Sequence, residues 1–261
     1  MKLECWRPHE AAMLAFHRGR QDASIVVYDD FERDEAPIAY FFRQPDEFPE
    51  DEQLALQLCR GRVLDVGAGS GCHSLALQAR GLDVTAIEVL PGLVTILRER
   101  GVAKCQAATW QDLEAEPFDT VLLMMNGLGL AETLAGLRRF LRQIRRLVAP
   151  GGQVLADSTD VRVYMIPEAA RRGTPVHSDG RYFGDLHFQL EFDGVKGPPF
   201  QQLYVDPDTL IRYAAKEHWD CEILQPPDHY GHYLVRLTPR ARIDAAKAGP
   251  RRGAGRRPSN P

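Results

Sequence analysis

Residues 63–71 read Val-Leu-Asp-Val-Gly-Ala-Gly-Ser-Gly, and this stretch decides the fold of the chain. Apolar residues around one acid are typical of a short buried β-strand, and three alternate glycines then predict a tight turn. Residues 72–80 read as a helix that ends before Gly81. Glycine leaves room for a ligand beside the backbone, and a helix start offers N–H groups without partners inside the helix. The stretch therefore predicts a ligand site.

A second acid, Glu88, stands near the end of the next predicted strand, residues 83–89. A carboxylate there can accept hydrogen bonds from both hydroxyl groups of a ribose. A dinucleotide cofactor would need a third glycine where this chain has Cys72. The carboxylate of Asp65, beside the turn, would repel a pyrophosphate but attract a sulfonium or ammonium group. The pattern therefore favours S-adenosylmethionine over a nicotinamide cofactor.

Outward from this turn, strands and helices alternate along the chain. Strands are predicted at 62–66, 83–89, 103–110, 119–125 and 153–157, and helices at 50–60, 72–80, 91–100 and 131–148. This order predicts a parallel sheet with helices on both faces. Residues 181–192 and 200–205 then alternate as strands around a polar turn, which predicts an antiparallel β-hairpin. A helix at 207–218 and strands at 221–225 and 233–238 follow.

These motifs resemble those of the class I S-adenosylmethionine-dependent methyltransferases over about residues 49–239. The similarity lies in VLDVGAGSG, VTAIEV, FDTVLLMMNGLG and LVAPGGQVLADS. It implies an enzyme with a Rossmann-like α/β fold: a mostly parallel seven-stranded sheet, helices on both faces and an antiparallel last strand. We expect residues 1–48 to form a cap over the cofactor site and 158–206 an inserted hairpin that acts as a substrate lid. Residues 240–261 read as a basic disordered tail.

The resemblance also assigns cofactor contacts to single residues. It places Gly67, Ala68, Gly69 and Gly71 against the cofactor, Asp65 near its amino-acid part, Glu88 on the ribose and Val89 on the adenine. The position where the family often carries an adenine-binding acid aligns with Thr109, which can still accept a hydrogen bond. Trp110 either covers the adenine or belongs to the core.

An aromatic segment, residues 37–43, precedes the first core helix. Its rings either face the cofactor pocket, where they would stabilise a sulfonium by cation–π attraction, or plug the bottom of the fold. We take Tyr40 as a substrate contact. Arg43 can pair with the carboxylate of the cofactor's methionine part.

The sequence says less about the residues that bind the methyl acceptor, because methyl transfer from a sulfonium mainly requires alignment of the reactants. Asn126, at the end of the fourth predicted strand, is expected to contact the cofactor or the reacting group. Asp157 and His187 are candidate general bases, and both can instead be structural. The expected substrate contacts are Tyr40, Tyr182, His187, Tyr204 and His229.

Charge and composition limit the partners. The formal charge is −4, but seven Lys and Arg against one Asp give residues 240–261 a charge of +6 and leave −10 for the rest. The tail and four arginines of one helix, Arg138, Arg142, Arg145 and Arg146, leave RNA or protein methylation as an alternative. A solvated tail and helix face are the simpler interpretation and argue against a nucleic-acid partner.

Five scattered cysteines without a CxxC pair, and no apolar leader or membrane span, are typical of a cytoplasmic protein. No metal site is expected from the histidine spacing. The sequence thus predicts a methyltransferase for a small-molecule acceptor, and it leaves open whether the protein forms a homodimer. A non-catalytic S-adenosylmethionine-binding regulator is the third alternative.

Overall fold

Seven strands form the main sheet of this computed structural model, which describes residues 2–165 and 180–240. In spatial order they are β11 (Trp219–Gln225), β12 (His232–Pro239), β7 (Val148–Thr159), β6 (Phe118–Leu123), β3 (Arg62–Val66), β4 (Asp83–Glu88) and β5 (Cys105–Ala107). β12 runs antiparallel to both β11 and β7, whereas the pairs from β7 to β5 are parallel. The predicted Rossmann-like fold class is confirmed.

Helices cover both faces of this sheet. The helices of the described residues are α1 (Arg7–His17), α2 (Glu50–Leu58), α3 (Cys72–Ala79), α4 (Pro91–Glu99), α5 (Leu134–Ile144), α6 (Arg162–Met165) and α7 (Pro207–Lys216), of which α2 and α3 pack on one face and α5 and α7 on the other. Alternate residues of β3 belong to two core clusters, one on each face of the sheet. Val63 packs with α2 and α3, whereas Leu64 packs with α5 and α7. Strands buried on both faces need apolar residues at nearly every position, which explains their continuous apolar runs.

A second sheet contains the predicted hairpin. Its members are β1 (Ser24–Tyr28), β2 (Arg33–Pro37), β8 (Asp185–Phe192), β9 (Val195–Lys196) and β10 (Phe200–Leu203), in the order β10-β8-β1-β2 with β9 on β8. Phe188 lies opposite Phe200, as a hairpin requires. The sequence did not indicate that β1 pairs with β8, where Val26 lies opposite Glu191. Residues 24–37 and the insertion therefore share one sheet.

This second sheet lies across the carboxyl ends of the parallel strands. The Asn126 side-chain amide, just after β6, donates to the Leu203 carbonyl of β10 at 3.3 Å. The Val205 N–H donates to the hydroxyl of Ser158 in β7 at 3.2 Å. On the other side, the Gly92 N–H at the start of α4 donates to Glu10 of α1 at 2.6 Å. The edge where ligands bind in open α/β sheets is thus covered by α1 and the second sheet.

Two expectations fall partly outside the described residues. The tail beyond Arg240 and residues 166–179 of the insertion are not described. Within the part of the chain that is described, no helix has the length and apolar character to cross a bilayer.

Candidate active site

The glycine turn after β3 provides an open cradle at two of its three glycines. Gly67, Gly69 and Gly71 have φ of 73°, 56° and 85°, values that side-chain-bearing residues rarely adopt. A Cβ on Gly67 would meet no atom within 4 Å, and on Gly69 it would reach only the Gly67 carbonyl at 4.0 Å. A Cβ on Gly71 would instead lie 2.7 Å from Leu97. Gly67 and Gly69 therefore leave room for a ligand, whereas Gly71 serves helix packing.

Glu88 supports this turn from the end of β4. Its carboxylate accepts the backbone N–H of Gly69 at 3.1 Å, of Val89 at 2.7 Å and of Leu90 at 3.1 Å. Burial raises the pKa of Glu88, and the three backbone donors offset part of that rise. A carboxylate has about four acceptor positions, so about one is left for a ligand. Two ribose hydroxyls would have to displace a backbone donor.

Asp65 lies beneath the turn. Its side chain is buried and accepts the Ser74 hydroxyl of α3 at 2.6 Å, and burial raises the pKa of its carboxyl. The carboxylate thus joins β3 to the first turn of α3. Its expected place near the cofactor's amino-acid part stays a prediction.

Residues 40–43 lie directly over the glycine turn. The Ser70 hydroxyl donates to the Phe41 carbonyl, and the Arg100 guanidinium donates to the Ser70 carbonyl at 2.7 Å. The Arg43 guanidinium lies 3.7 Å from the centre of the Tyr40 ring. This segment therefore adjoins the site and does not plug the opposite end of the sheet.

A buried chain of charges joins this segment to the two neighbouring helices. Glu52 of α2 accepts a hydrogen bond from the Arg43 guanidinium at 2.8 Å, and its other oxygen lies 2.7 Å from Nε2 of His73 in α3. Burial alone would raise the pKa of Glu52 and lower that of His73. At Glu52, the hydrogen bond to His73 and the charges of His73 and Arg43 outweigh burial and lower the pKa. At His73, the hydrogen bond to Glu52 and the charges of Asp65 and Glu52 outweigh both burial and the Arg43 charge and raise the pKa.

The Nε–H donor of Arg43 is not used in this group of buried charges. Its side chain is 9% exposed, and its Nε–H is buried without a hydrogen-bond partner among the described residues. An unpaired buried donor is costly unless a ligand satisfies it. A guanidinium with a free N–H next to an open glycine cradle is suited to a carboxylate ligand.

The end of β6 holds a strained turn that Asp157 fixes. Met125 and Asn126 have φ of 64° and 59°, which is unusual for residues other than glycine. The Asp157 carboxylate accepts the backbone N–H groups of Asn126 and Gly127, both at 2.9 Å. Burial raises the pKa of Asp157 to about 6, and the charges of Asp51 and Glu52 add to the rise although the two backbone donors lower it.

The Asn126 side chain is held as firmly as its backbone. Its oxygen accepts the Ser158 hydroxyl at 3.1 Å, while its amide donates to Leu203. Asn126 and Asp157 are thus together at the carboxyl edge, as the sequence predicts. Asp157 lies two residues before the end of β7, not at its end. Their roles toward the reacting group stay predictions.

At the β5 end of the sheet, Thr109 and Trp110 are used locally. The Thr109 hydroxyl donates to Asp112 at 2.7 Å and accepts the Asp112 N–H at 3.1 Å. Trp110 is 6% exposed and packs edge-on against Phe140, 5.1 Å between ring centres. Of the two interpretations left open for Trp110, the core position is observed.

Two expected acceptor contacts need correction. The Tyr182 hydroxyl is buried and donates to Asp206 at 2.7 Å, so it is not available to an acceptor in this structure. His187 is half exposed, with Nδ1 at 3.3 Å from Asp30, and it lies on the face of β8 opposite to Leu186 and Phe188. Alternation along the strand sends neighbouring side chains to opposite faces, and it places His187 outside.

Tyr204 and His229 remain candidates. Tyr204 stacks on Phe188, 5.5 Å between centres, on the inner face of the second sheet. His229 is exposed in the turn between β11 and β12, with its ring 3.8 Å from that of Tyr230. That turn lies at the carboxyl end of β7, because His232 is opposite Thr159.

Sequence reasoning missed Glu52, His73, His9 and Trp6. The run Pro49-Glu50-Asp51-Glu52 reads as a helix start, and nothing local distinguishes Glu52 from its exposed neighbours. Residues 2–23 have no motif that connects them to the glycine turn. Among residues 2–165 and 180–240, no group of three His, Cys, Asp or Glu side chains is arranged to hold a metal.

Comparison with known proteins adds the family. A family model described as a methyltransferase domain matches residues 63–152. The crystal structure of a SAM-dependent methyltransferase from Bacteroides fragilis, in complex with S-adenosyl-L-homocysteine, is similar with a TM-score of 0.79 and 34% identity. That similarity covers 92% of this chain and 98% of the Bacteroides chain.

Curated relatives match over a shorter stretch. A ubiquinone biosynthesis O-methyltransferase of Xanthomonas oryzae pv. oryzae is 34% identical over 107 residues, which are 38% of this chain and 43% of that protein. A malonyl-(acyl-carrier protein) O-methyltransferase of Erwinia pyrifoliae is 37% identical over 95 residues, 36% of each chain. The matched stretches span less than half the length of these curated relatives.

Proposed function

This chain belongs to the S-adenosylmethionine-dependent methyltransferases, and we propose that it methylates a small molecule held beneath its second sheet. The observation that carries the proposal is the closed carboxyl edge, where Asn126 and Ser158 are hydrogen-bonded to the segment 203–205. An edge covered in this way favours an enclosed ligand over a long polymer.

S-adenosylmethionine supplies the activated methyl group when it is bound. The chain's own residues fit that ligand: Gly67 and Gly69 give it room, and the buried Arg43 has a free donor for its carboxylate. Glu88 has about one acceptor position left for the ribose. Arg43 lies over one face of the Tyr40 ring, which is 42% exposed, and we propose the other face for contact with a sulfonium.

Toward the methyl acceptor, the residues of this protein mainly align the reactants and exclude water. Asn126 is fixed through backbone and side chain, and preorganised groups of this kind lower the entropic cost of alignment. We propose residues 1–48 and the insertion as the cap and lid that exclude water. Asp157, with a pKa raised to about 6 by burial, is the nearest candidate for holding the proton of a hydroxyl or amine acceptor.

The arginines that suggested a polymer substrate have hydrogen-bond partners within the protein, and Arg138 and Arg142 keep more than half of their side-chain surface exposed. Arg138 and Arg142 of α5 both contact Glu217, at 2.7 and 3.1 Å. Arg146 donates to the carbonyls of Trp110, Gln111 and Leu113. A guanidinium bonded in this way is less available to phosphates, which supports the small-molecule acceptor.

A labelled-methyl experiment tests the proposal. Purified protein is incubated with methyl-labelled S-adenosylmethionine and a cell extract, and the label is then counted in the small-molecule fraction and in acid-precipitated RNA and protein. We expect label in the small-molecule fraction and its loss in a Glu88→Ala control. Label confined to the precipitated fraction would overturn the small-molecule proposal while leaving the family membership intact.

A further inference from the structure

A continuous row of aromatic rings connects the second sheet with the residues next to the glycine turn. We call it the aromatic chamber; its members are Trp6, His9, Phe41, Phe188, Phe200 and Tyr204. They come from the 3₁₀ turn before α1, α1 itself, the segment before α2, β8, β10 and the residue after β10. The chamber is thus assembled from parts of the chain that are distant in sequence.

The rings form successive contacts. Tyr204 stacks on Phe188, which lies 6.0 Å from Phe200, and Phe200 lies 4.7 Å from Trp6. The row then turns edge-on, with 6.1 Å between Trp6 and His9 and 4.9 Å between His9 and Phe41. Apart from the buried Phe188, these side chains are partly exposed. A row that served only packing would have its polar edges satisfied.

The indole N–H of Trp6 is not satisfied. Nε1 is buried and has no hydrogen-bond partner among the described residues. The fully buried Trp219 shows the usual arrangement, since its Nε1–H donates to the Leu141 carbonyl at 3.0 Å. Buried indole N–H groups usually find a partner, so the donor of Trp6 points to a ligand that accepts a hydrogen bond.

His9 supplies a second polar edge. Although part of the His9 side chain reaches the surface, the surrounding residues desolvate the imidazole and lower its pKa to about 4, so the ring is neutral at neutral pH. No hydrogen bond to its ring occurs within residues 2–165 and 180–240. A neutral imidazole presents one donor and one acceptor, and it can orient an uncharged polar group without attracting an ion.

The chamber adjoins the cofactor cradle. Phe41, at one end, accepts the Ser70 hydroxyl of the glycine turn through its carbonyl. Glu10, next to His9, accepts the Gly92 N–H two residues beyond Leu90. At the other end, the Cys5 thiol lies 3.8 Å from the Pro199 carbonyl beside Phe200. A molecule in the chamber would therefore lie between the cradle and the second sheet.

We propose that the aromatic chamber binds the methyl acceptor, and that the acceptor is an uncharged aromatic ring bearing a hydrogen-bond-accepting substituent. Ring faces and edges favour an aromatic guest over an aliphatic one. The Trp6 N–H and the neutral His9 ring select for a polar but uncharged substituent. This inference rests on the proposed function and assigns its substrate class.

Binding of small probes tests the chamber without any turnover. The protein is first saturated with S-adenosylhomocysteine, whose own affinity is measured separately by calorimetry. Phenol, cyclohexanol and benzene are then titrated and followed by NMR. We expect phenol to bind at least about threefold more tightly than either cyclohexanol, which lacks the ring, or benzene, which lacks the hydroxyl.

Two variants locate the probe. Trp6→Phe keeps a six-membered aromatic ring but removes the indole N–H, and should weaken phenol binding by about three- to tenfold while changing benzene binding less. His9→Gln gives a second reading if the first variant is unstable. Phe31→Leu, at an exposed ring outside the chamber, should bind phenol like the parent.

The outcomes separate the two proposals. Equal binding of phenol and cyclohexanol, or phenol binding that neither chamber variant changes, would overturn the chamber proposal. A loss of S-adenosylhomocysteine affinity in Trp6→Phe, with phenol binding unaffected, would overturn it too, because Trp6 would then contact the cofactor. Failure of the parent protein to bind S-adenosylhomocysteine would instead count against the proposed function.

Discussion

Replacing Glu52 by Gln removes the negative charge that lies between the buried Arg43 guanidinium and the buried His73 ring. The Glu52 carboxylate contacts the Arg43 guanidinium and the His73 ring, and all three side chains are less than a tenth exposed. Gln keeps the size of the side chain but leaves Arg43 without its counter-ion. The variant therefore tests whether this chain of charges stabilises the fold and holds Arg43 for a ligand.

The expected cost is large for a single substitution. Removing one partner of a buried ion pair typically costs about 3–5 kcal/mol. At about 2–4 °C per kcal/mol for a chain of this size, Tm should fall on the order of 10 °C. The same change at Glu222, whose ion pair with Arg236 is largely exposed, is the matched control and should cost about 1 kcal/mol or less.

The pH dependence gives a second reading. The Glu52 contribution is present above the ordinary carboxyl pKa of 4.5 and is lost as the pH falls through the lowered pKa. The His73 contribution is fully present below 6.5 and is lost as the pH rises through the raised pKa. Urea unfolding should therefore show the largest difference between parent and Glu52→Gln from about pH 4.5 to 6.5.

Ligand affinity separates positioning from stability. Calorimetry on folded Glu52→Gln should show at least about tenfold weaker binding of S-adenosylhomocysteine, because the Arg43 donor is no longer held in place. Binding of 5′-methylthioadenosine, which has no carboxylate, should change little. A Tm equal to that of the Glu222→Gln control, or equal losses for both ligands, would refute the reasoning.

Three further changes test the rest of the site. Glu88→Gln should bind S-adenosylhomocysteine more tightly than Glu88→Ala, which leaves three backbone donors unpaired and should also lower Tm; equal behaviour by calorimetry would contradict this. Gly69→Ala should weaken cofactor binding more than Gly71→Ala does. Gly71→Ala should lower Tm more, because the added Cβ meets Leu97, and the reverse order would contradict the assigned roles. The stability that Asp157 contributes should be fully present below its ordinary pKa of 3.8 and should be lost as the pH rises to about 6, so the difference in unfolding free energy between parent and Asp157→Asn should change across that range. A constant difference from pH 3.8 to 6 would count against a raised pKa.

The core of the fold could be predicted because its signals are local. The glycine turn and the alternation of strands with helices each depend on a few neighbouring residues. The helix predicted at 131–148 is observed only at 134–144, and β7 begins at Val148 and runs through 150–152 instead of starting at 153. β5 is the weak point: eight residues were predicted as strand and three are observed, Cys105–Ala107. It lies at the edge of the sheet, where a single neighbour supports only a short ladder.

The acceptor side could not be predicted in the same way. The alternation of 181–192 correctly indicated a strand, but which face turns inward depends on β1, a partner distant in sequence. This uncertainty put His187 at the site, whereas Phe188, Phe200 and Tyr204 lie on the inner face. Tyr182 lies before β8, and only the folded structure shows its buried hydrogen bond to Asp206. Similarly, Glu52 reads as one of three acids at a helix start, and only the packed structure shows its contacts with Arg43 and His73.

The pairing of β1 with β8 has a consequence for synthesis of the chain. At about 5–20 residues per second, a ribosome needs roughly 8–30 s to make the residues between 28 and 185. During that interval the edge of β1 that will pair with β8 presents unpaired backbone groups to any neighbouring chain. The side chains of this strand include Ile25, Val26 and Val27. Nascent molecules on one messenger would therefore be exposed to cross-pairing until β8 emerges, so slower translation should lower the soluble yield.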